Sequence, residues 1–263
     1  MTPYNCYIFM VKSDRKIIEA NEIEFMDKHF DSAAYNPAGN KLRLKRMISS
    51  LQYLSKKKRF TSVLSIGCGD GEFEFLFSPY AEHITAVDLS SIAIEKANKK
   101  KAELGINNIE FKCQSFFDIE WDKQYDTIIC IAFLHHVPEK DLTDFLKQAY
   151  KHLKPGGFFF SQDPNINGIM RKIGRLILKD KYDKYHSADE RELDPNDMTD
   201  VFKQVGFTNI KIDHLDLTLI PGNYMFIKGM SWLMYIFLIT DYLWSISPFK
   251  SLSSGFSLLA RRD

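Results

Sequence analysis

The spacing of apolar positions changes along the chain, and each change marks a strand or a helix. Residues 41–54 put Leu42, Met47, Leu51 and Leu54 near one face of a helix. The apolar run at 61–66, "TSVLSI", reads as a strand buried on both sides. A short helix around "EFEFLF" and a second strand at 83–89 follow. Ser90 and Ser91 can cap the next helix, which Gly105 ends. Residues 109–114 and 125–133 are the third and fourth strands. Leu142, Phe145, Leu146, Ala149, Tyr150 and Leu153 then recur at helical spacing until "KPGG" at 154–157. A fifth strand covers 158–162. Asp194, Pro195 and Asp197 start another helix, with Met198, Val201, Phe202 and Val205 on its apolar face and Gly206 at its end. Residues 209–220 and 255–262 read as two further strands.

Strands alternating with helices mean βαβ units. Such crossovers build a mainly parallel sheet with helices on both faces, an α/β fold. Ligands in that architecture sit at the carboxyl ends of the strands, near the switch in strand order.

One stretch at such an end departs from core-forming composition. Gly67, Gly69 and Gly71 form GxGxG directly after the first strand. Without Cβ atoms the turn can be tight and the main chain can approach a ligand closely. The following helix offers free N–H groups. Asp88 ends the second strand, 17 residues past Gly71, where an acid can accept hydrogen bonds from ribose hydroxyls. Strand, glycine turn, helix, strand and acid in that order point to a nucleoside-containing ligand. The plainer alternative is a tight turn and an ordinary surface Asp. The nicotinamide fingerprint is GxGxxG, which this chain lacks. Asp70 places a carboxylate at the helix start, which disfavours pyrophosphate and favours a ligand carrying an amino group or sulfonium.

Composition narrows the partners. The chain has 263 residues, 45% of them hydrophobic, and formal net charge +1, so no general attraction to nucleic acid is expected. The lysine clusters at 56–59 and 99–101 read as solvated surface. Cysteines 6, 68, 113 and 130 have no CxxC spacing, which argues for reduced thiols, a cytoplasmic location, and neither a disulfide frame nor a metal site. The first residues make a poor signal peptide.

With these motifs in hand, residues 20–263 resemble a class I S-adenosylmethionine-dependent methyltransferase. "VLSIGCGDG" resembles the family's first motif, "AVDLS" its second, and "YDTIICIAFLHHV" its fourth strand with the exit. "HLKPGGFFF" resembles the turn into the fifth strand, and "VFKQVGF" the helix before the sixth. The resemblance implies a Rossmann-like seven-stranded, mainly parallel sheet with an antiparallel last strand. It also implies S-adenosyl-L-methionine as cofactor, held by Gly67, Cys68, Gly69, Asp70, Gly71, Asp88, Leu89, Ser115, Phe116 and Ala132. Within that set the glycines would flank the methionine part, Asp88 would hold the ribose and Leu89 would pack on the adenine. Two positions depart from the family. Ser65 stands where an acid usually helps position the loop and the cofactor's amino group. Ser115 stands where an Asp often contacts the adenine amine. The implied layout is an arm at 1–40, a cofactor-binding core at 41–165, a lid-like helical insertion at 166–195, and a C-terminal helix and strands at 196–263 with a hydrophobic helical insert at 223–249.

Methyl transfer is an in-line displacement, so the protein mainly aligns the partners and excludes water. A hydroxyl acceptor also needs a base. His135 and His136 follow the fourth strand, and His136 is the favoured base. The alternative is that both are structural. Asp163 is a second candidate, and Tyr35 and Arg43 are placed to cover the cofactor or hold its carboxylate. Residues 166–180 form an amphipathic helix, with Ile166, Ile169, Met170, Ile173, Leu176 and Ile177 on one face and Arg171, Lys172, Arg175 and Lys179 away from it. It reads as a lid, a basic face for anionic lipid, or an ordinary packed helix. Residues 223–249 are apolar all round, yet Lys228 and Asp241 bracket too few residues to span a bilayer. They suit a wall for an apolar acceptor, a peripheral membrane contact or a homodimer interface. The expected activity is methylation, at oxygen, of a small or lipid-like acceptor. The alternatives are a membrane-peripheral or partner-binding domain that keeps the fold without strong catalysis and, less favoured, a nicotinamide-dependent oxidoreductase.

Overall fold

A computed structural model describes residues 16–17, 19–21, 23–24, 36–118, 123–178, 190–225 and 229–263. Seven strands form one sheet: β1 Phe60–Ile66, β2 Ala81–Asp88, β3 Ile109–Cys113, β4 Tyr125–Ile131, β5 Leu153–Pro164, β6 Thr208–Leu215 and β7 Gly255–Arg261. Their order is β3-β2-β1-β4-β5-β7-β6. The first five are parallel, and β7 runs antiparallel between β5 and β6. This is the Rossmann-like sheet with an antiparallel last strand that the sequence implied. The chain builds outward from β1 to β3, then crosses back to place β4 on the other side of β1, with Val63 opposite Thr127 and Ile66 opposite Cys130. That reversal leaves a crevice at the carboxyl ends of β1 and β4.

The helices are α1 Pro37–Ser55, α2 Glu72–Phe77, α3 Ser91–Leu104, α4 Glu139–His152, α5 Ile169–Leu178, α6 Pro195–Val205, α7 Leu219–Met225 and α8 Leu233–Ser245. Alternation along β1 sends Leu64 and Ile66 to one face of the sheet and Val63 to the other. On the first face, Phe145 of α4 and Phe202 of α6 close over Ile128, Phe159 and Leu258. On the second, Met47 and Leu51 of α1 and Phe73 and Phe77 of α2 cover Ile84, Ile129 and Phe160. Each such fully buried side chain contributes about 1.5–3 kcal/mol of transfer free energy.

Local chemistry sets the helix ends. Asn36 caps α1 by accepting from the Ala38 and Gly39 amides at 3.1 and 3.2 Å, and Pro37 occupies the first turn. The helix therefore begins before the expected residue 41. Ser90 caps α3 through the Ala93 amide at 3.1 Å, and Gly105, at φ 65°, ends it as anticipated.

Two strands differ from expectation, and one insert has a break that the sequence does not show. β5 starts at Leu153 and not at 158, because Lys154–Gly157 run extended, with Gly156 at φ 77° turning within the strand. β6 stops at Leu215, since Asp216 takes φ 65° and the chain turns into α7. The insert at 223–249 is divided between two helices. Gly229 at φ 88° and Met230 at φ 52° separate α7 from α8. Buried Asp241 of α8 accepts from the Thr218 amide and hydroxyl, both at 2.7 Å, and so pins α8 to the start of α7. Among the described residues no helix is long and apolar enough to cross a membrane.

Candidate functional site

The glycine turn is held to β2 by its own amides. Those of Gly67 and Cys68 both donate to the Val87 carbonyl, at 2.9 and 3.2 Å, and the Gly69 amide donates to Asp88 Oδ2 at 2.7 Å. Asp88 Oδ1 accepts from the Ser90 amide at 2.9 Å. Asp88 therefore ties the glycine turn to the start of α3 while its carboxylate faces the crevice. Burial pushes this carboxyl above its ordinary value, against the pull of the Ser90 and Gly69 amides. Gly67 lies at φ 70°, and a Cβ there would come within 2.3 Å of the Phe133 ring. Position 67 therefore tolerates only glycine while Phe133 keeps its place.

The crevice between β1, β2 and β4 is a cavity walled by Ile66, Gly67, Val87, Asp88, Leu89, Ser115, Phe116, Phe117, Ala132, Phe133 and His136, with Glu19 and Ile23 reaching in from the N-terminal region. Gly67, Asp88, Leu89, Ser115, Phe116, Ala132 and His136 were singled out from sequence, and the fold brings them to one cavity. Cys68, Gly69, Asp70 and Gly71 form the turn leading into it and are not part of its wall. Burial pushes the Cys68 thiol well up, which disfavours its thiolate. Ala132 sits at φ 51°, an uncommon conformation for a residue with a Cβ, fixed by its amide donating to the Gln162 carbonyl at 2.7 Å.

At the β4 exit, His135 is buried and its Nδ1 lies 3.0 Å from Asp163 Oδ1. Its Nε2 is 3.7 Å from Glu190 Oε1. Burial, with His136 adjacent, holds this imidazole below its ordinary value despite Asp163. The His135 and His136 rings are 4.1 Å apart, and of the two only His136 lines the cavity. Asp163, fully buried, braces His135 and does not reach the cavity wall. Arg43 is committed elsewhere: its Nε donates to Asp216 at 2.8 Å and its Nη2 to Gln162 at 3.1 Å, tying α1 to the ends of β5 and β6. Tyr35 lies outside the described residues.

Both serines that depart from the family pattern have carboxylate partners. Ser65 donates to Glu74 of α2 at 2.6 Å, and Ser115 donates to Glu19 at 2.7 Å. Glu74 is buried, and desolvation raises its pKa to about 7. Sequence reading missed both glutamates. The signal available was Glu74, an acid among the phenylalanines of a helix otherwise turned to the core.

The sequence also matches known proteins. A family profile described as "Methyltransferase domain" matches residues 40–212, well over half of the chain. This chain belongs to that family. Among curated relatives, a ubiquinone biosynthesis O-methyltransferase of Xylella fastidiosa (strain 9a5c) is 31% identical over 133 residues, 49% of this chain and 50% of the relative. Nodulation protein S of Azorhizobium caulinodans is 29% identical over 136 residues, 51% of this chain and 63% of the relative. The chain spans about half the length of the ubiquinone-pathway relative. Among solved structures, a plantazolicin methyltransferase in complex with SAH has TM-score 0.60 at 20% identity, covering 97% of this chain and 100% of the other. Magnesium protoporphyrin IX methyltransferase from Synechocystis PCC 6803 with bound SAM has TM-score 0.54 at 14% identity, covering 86% and 80%. These structural likenesses establish the class I methyltransferase fold.

Proposed function

We propose that this methyltransferase-family chain moves a methyl group from S-adenosylmethionine to an oxygen of a small or lipid-like apolar acceptor. One observation carries the reading: a single cavity at the strand-order reversal joins a ribose-type acid, Asp88, to an imidazole, His136, beneath a glycine turn. The residues suit an adenosyl sulfonium. Asp88 supplies acceptors for ribose hydroxyls, Leu89, Phe116 and Phe117 are apolar walls for a purine, and Glu19 and Ser115 are polar groups beside them. When bound, that cofactor supplies an already activated methyl carbon.

The chain's own work is alignment and proton handling. Phe133 and Val137 are apolar neighbours that keep water from the transfer end. His136 takes the proton of the acceptor hydroxyl, while the Asp163–His135 pair beside it holds the turn after β4. Support for an apolar acceptor comes from the outer helices. Leu176 and Ile177 of α5 are 76% and 71% exposed, and Trp232 at the start of α8 and Tyr235, Ile239, Tyr242 and Leu243 on it are also exposed. Arg171 and Arg175 do not form an open basic face, for both pair with Glu192, at 2.9 and 2.8 Å. The apolar side of α5 is therefore the better recognition surface. The relatives' name points to an oxygen acceptor.

The test is transfer of labelled methyl from S-adenosylmethionine to a prenylated phenol and, in parallel, to a short polar catechol. Faster turnover of the prenylated acceptor, lost in His136→Ala by roughly 100-fold or more, supports the reading. Equal turnover of both acceptors overturns its apolar part, and undiminished turnover in His136→Ala removes the base.

A further inference from the structure

Helix α8 is apolar on the side it shows to solvent. Residues 229–249 contain one charged residue, Asp241, which is 2% exposed and bonded to Thr218. Trp232, Tyr235, Ile239, Tyr242, Leu243 and Ile246 are all more than half exposed. Steps of three and four residues run them in one stripe along the helix. A helix in water turns such a stripe to the core, and a helix apolar on every side is normally covered.

The chemistry of the stripe indicates what covers it. The two aliphatic hydroxyls of α8 are used within the helix: Thr240 donates to the Ile236 carbonyl at 3.0 Å and Ser245 to the Tyr242 carbonyl at 2.7 Å. Neither is left with an unmatched donor when water is removed. Trp232 and Tyr235 near one end and Tyr242 toward the other have apolar bodies and polar tips, the residue types that sit at the headgroup boundary of a bilayer. Exposed Lys250 follows the apolar stretch, where an ammonium can reach lipid phosphates. A protein partner would look for roughly one hydrogen bond per 100–200 Å² of interface, and beyond the phenols this stripe offers little to bond. A lipid interface needs no such bonds.

Placement agrees. Asn165 donates to the Ser251 and Ser253 carbonyls, both at 2.9 Å, and Arg171 Nε to the Ser254 carbonyl at 3.0 Å. The exit from α8 and the start of α5 therefore share one edge of the sheet, where Pro164 at the end of β5 pairs with Gly255 at the start of β7. That is the carboxyl-end edge, at which the crevice opens. The exposed Leu176 and Ile177 of α5 leave from the same edge. The 13 residues of α8 are about 20 Å long, short of the roughly 30 Å of a bilayer core.

We propose that the α8 stripe seats this protein on the surface of a phospholipid bilayer, with the helix lying in the plane of the headgroups and its apolar side chains among the upper acyl chains. The inference goes beyond the methyl-transfer reading and does not depend on it, since the contact needs neither cofactor nor acceptor.

Flotation of the full chain with phosphatidylcholine vesicles, without cofactor or acceptor, tests it. The wild type is expected to float, and Ile239→Ser with Leu243→Ser to partition roughly tenfold or more less. Acyl chains carrying bromine should quench the tryptophan fluorescence of the wild type, and Trp232→Phe should lose most of that quenching while still floating. Should the double variant not fold, the Trp232→Phe comparison carries the test. Adding phosphatidylglycerol should change binding less than about threefold, because Arg171 and Arg175 are engaged by Glu192. Flotation unchanged in the double variant, quenching unchanged in Trp232→Phe, or binding that requires phosphatidylglycerol overturns the proposal. So does a wild type that stays off vesicles of both compositions, and a concentration-dependent dimer in sedimentation would then assign the stripe to a second copy.

Discussion

The inner side of the molecule, around the glycine turn, and its outer side, around α5 and α8, handle polarity in opposite ways. Inside, each main-chain donor of the turn has a named acceptor, from Gly67 on Val87 to Gly69 on Asp88. The Asp88 carboxylate there is locked to two backbone amides. Outside, large apolar side chains such as Trp232, Ile239 and Leu243 face solvent, while the buried Asp241 is spent on joining two helices. A preorganised polar site suits a ligand of fixed shape. An exposed apolar face suits a partner that brings its own apolar surface. On the proposed function, the difference puts cofactor recognition on the sheet and would leave acceptor recognition to the insertions.

Substitutions that break this contrast rank by how deep they reach. Phe145→Ala opens a cavity in the core shared by α4, β4 and β5, and should cost about 3–5 kcal/mol in chemical denaturation. Asp88→Ala removes the acceptor of two amides together with the ribose acceptor. Titration with S-adenosylhomocysteine should show affinity down by about 100-fold or more, from the loss of two charge-assisted hydrogen bonds to the ribose at about 1.5–3 kcal/mol each. A loss below tenfold would mean that Asp88 serves only the turn.

The pH response of Glu74 is smaller and has a definite sign. Its carboxyl is raised from 4.5 to about 7 in the folded chain. Between those values the folded state holds a proton that the unfolded state has released, so this group favours folding at low pH. That contribution is complete below the unfolded value and disappears as pH rises through about 7. The full swing is of order 3 kcal/mol at about 1.4 kcal/mol per pKa unit. Unfolding free energies measured at pH 5.5 and 8 (two conditions on either side of the step) should differ more in the wild type than in Glu74→Gln. An equal difference would show that Glu74 ionises normally. Smallest in stability is Ile239→Ser on α8, within about 0.5 kcal/mol, although turnover of an apolar acceptor should still fall. A large stability loss there would show that the face is packed against something.

Much of the fold was legible because burial leaves periodic traces. The spacing of Leu142, Phe145, Leu146 and Ala149 marked α4, and the glycine turn followed by Asp88 marked the site. What escaped depends on contacts between distant residues. β6 was drawn too long because the capping of α7 comes from Asp241, more than twenty residues later. The break within the helical insert escaped because the positive φ angles of Gly229 and Met230 leave little imprint on hydropathy. Ser65 and Ser115 read only as departures from the family pattern because the carboxylates beside them come from elsewhere in the chain, one of them from residue 19.

The central claim is that the cavity at the β1–β4 crevice receives an adenosyl amino acid with Asp88 on its sugar. A crystal structure of the full chain grown with S-adenosylhomocysteine tests this most directly. The account predicts the ribose hydroxyls on the Asp88 carboxylate, the purine against Leu89 and Phe116, and the sulfur facing the His136 end. Density for that ligand elsewhere, or an empty cavity at saturating ligand, would contradict it.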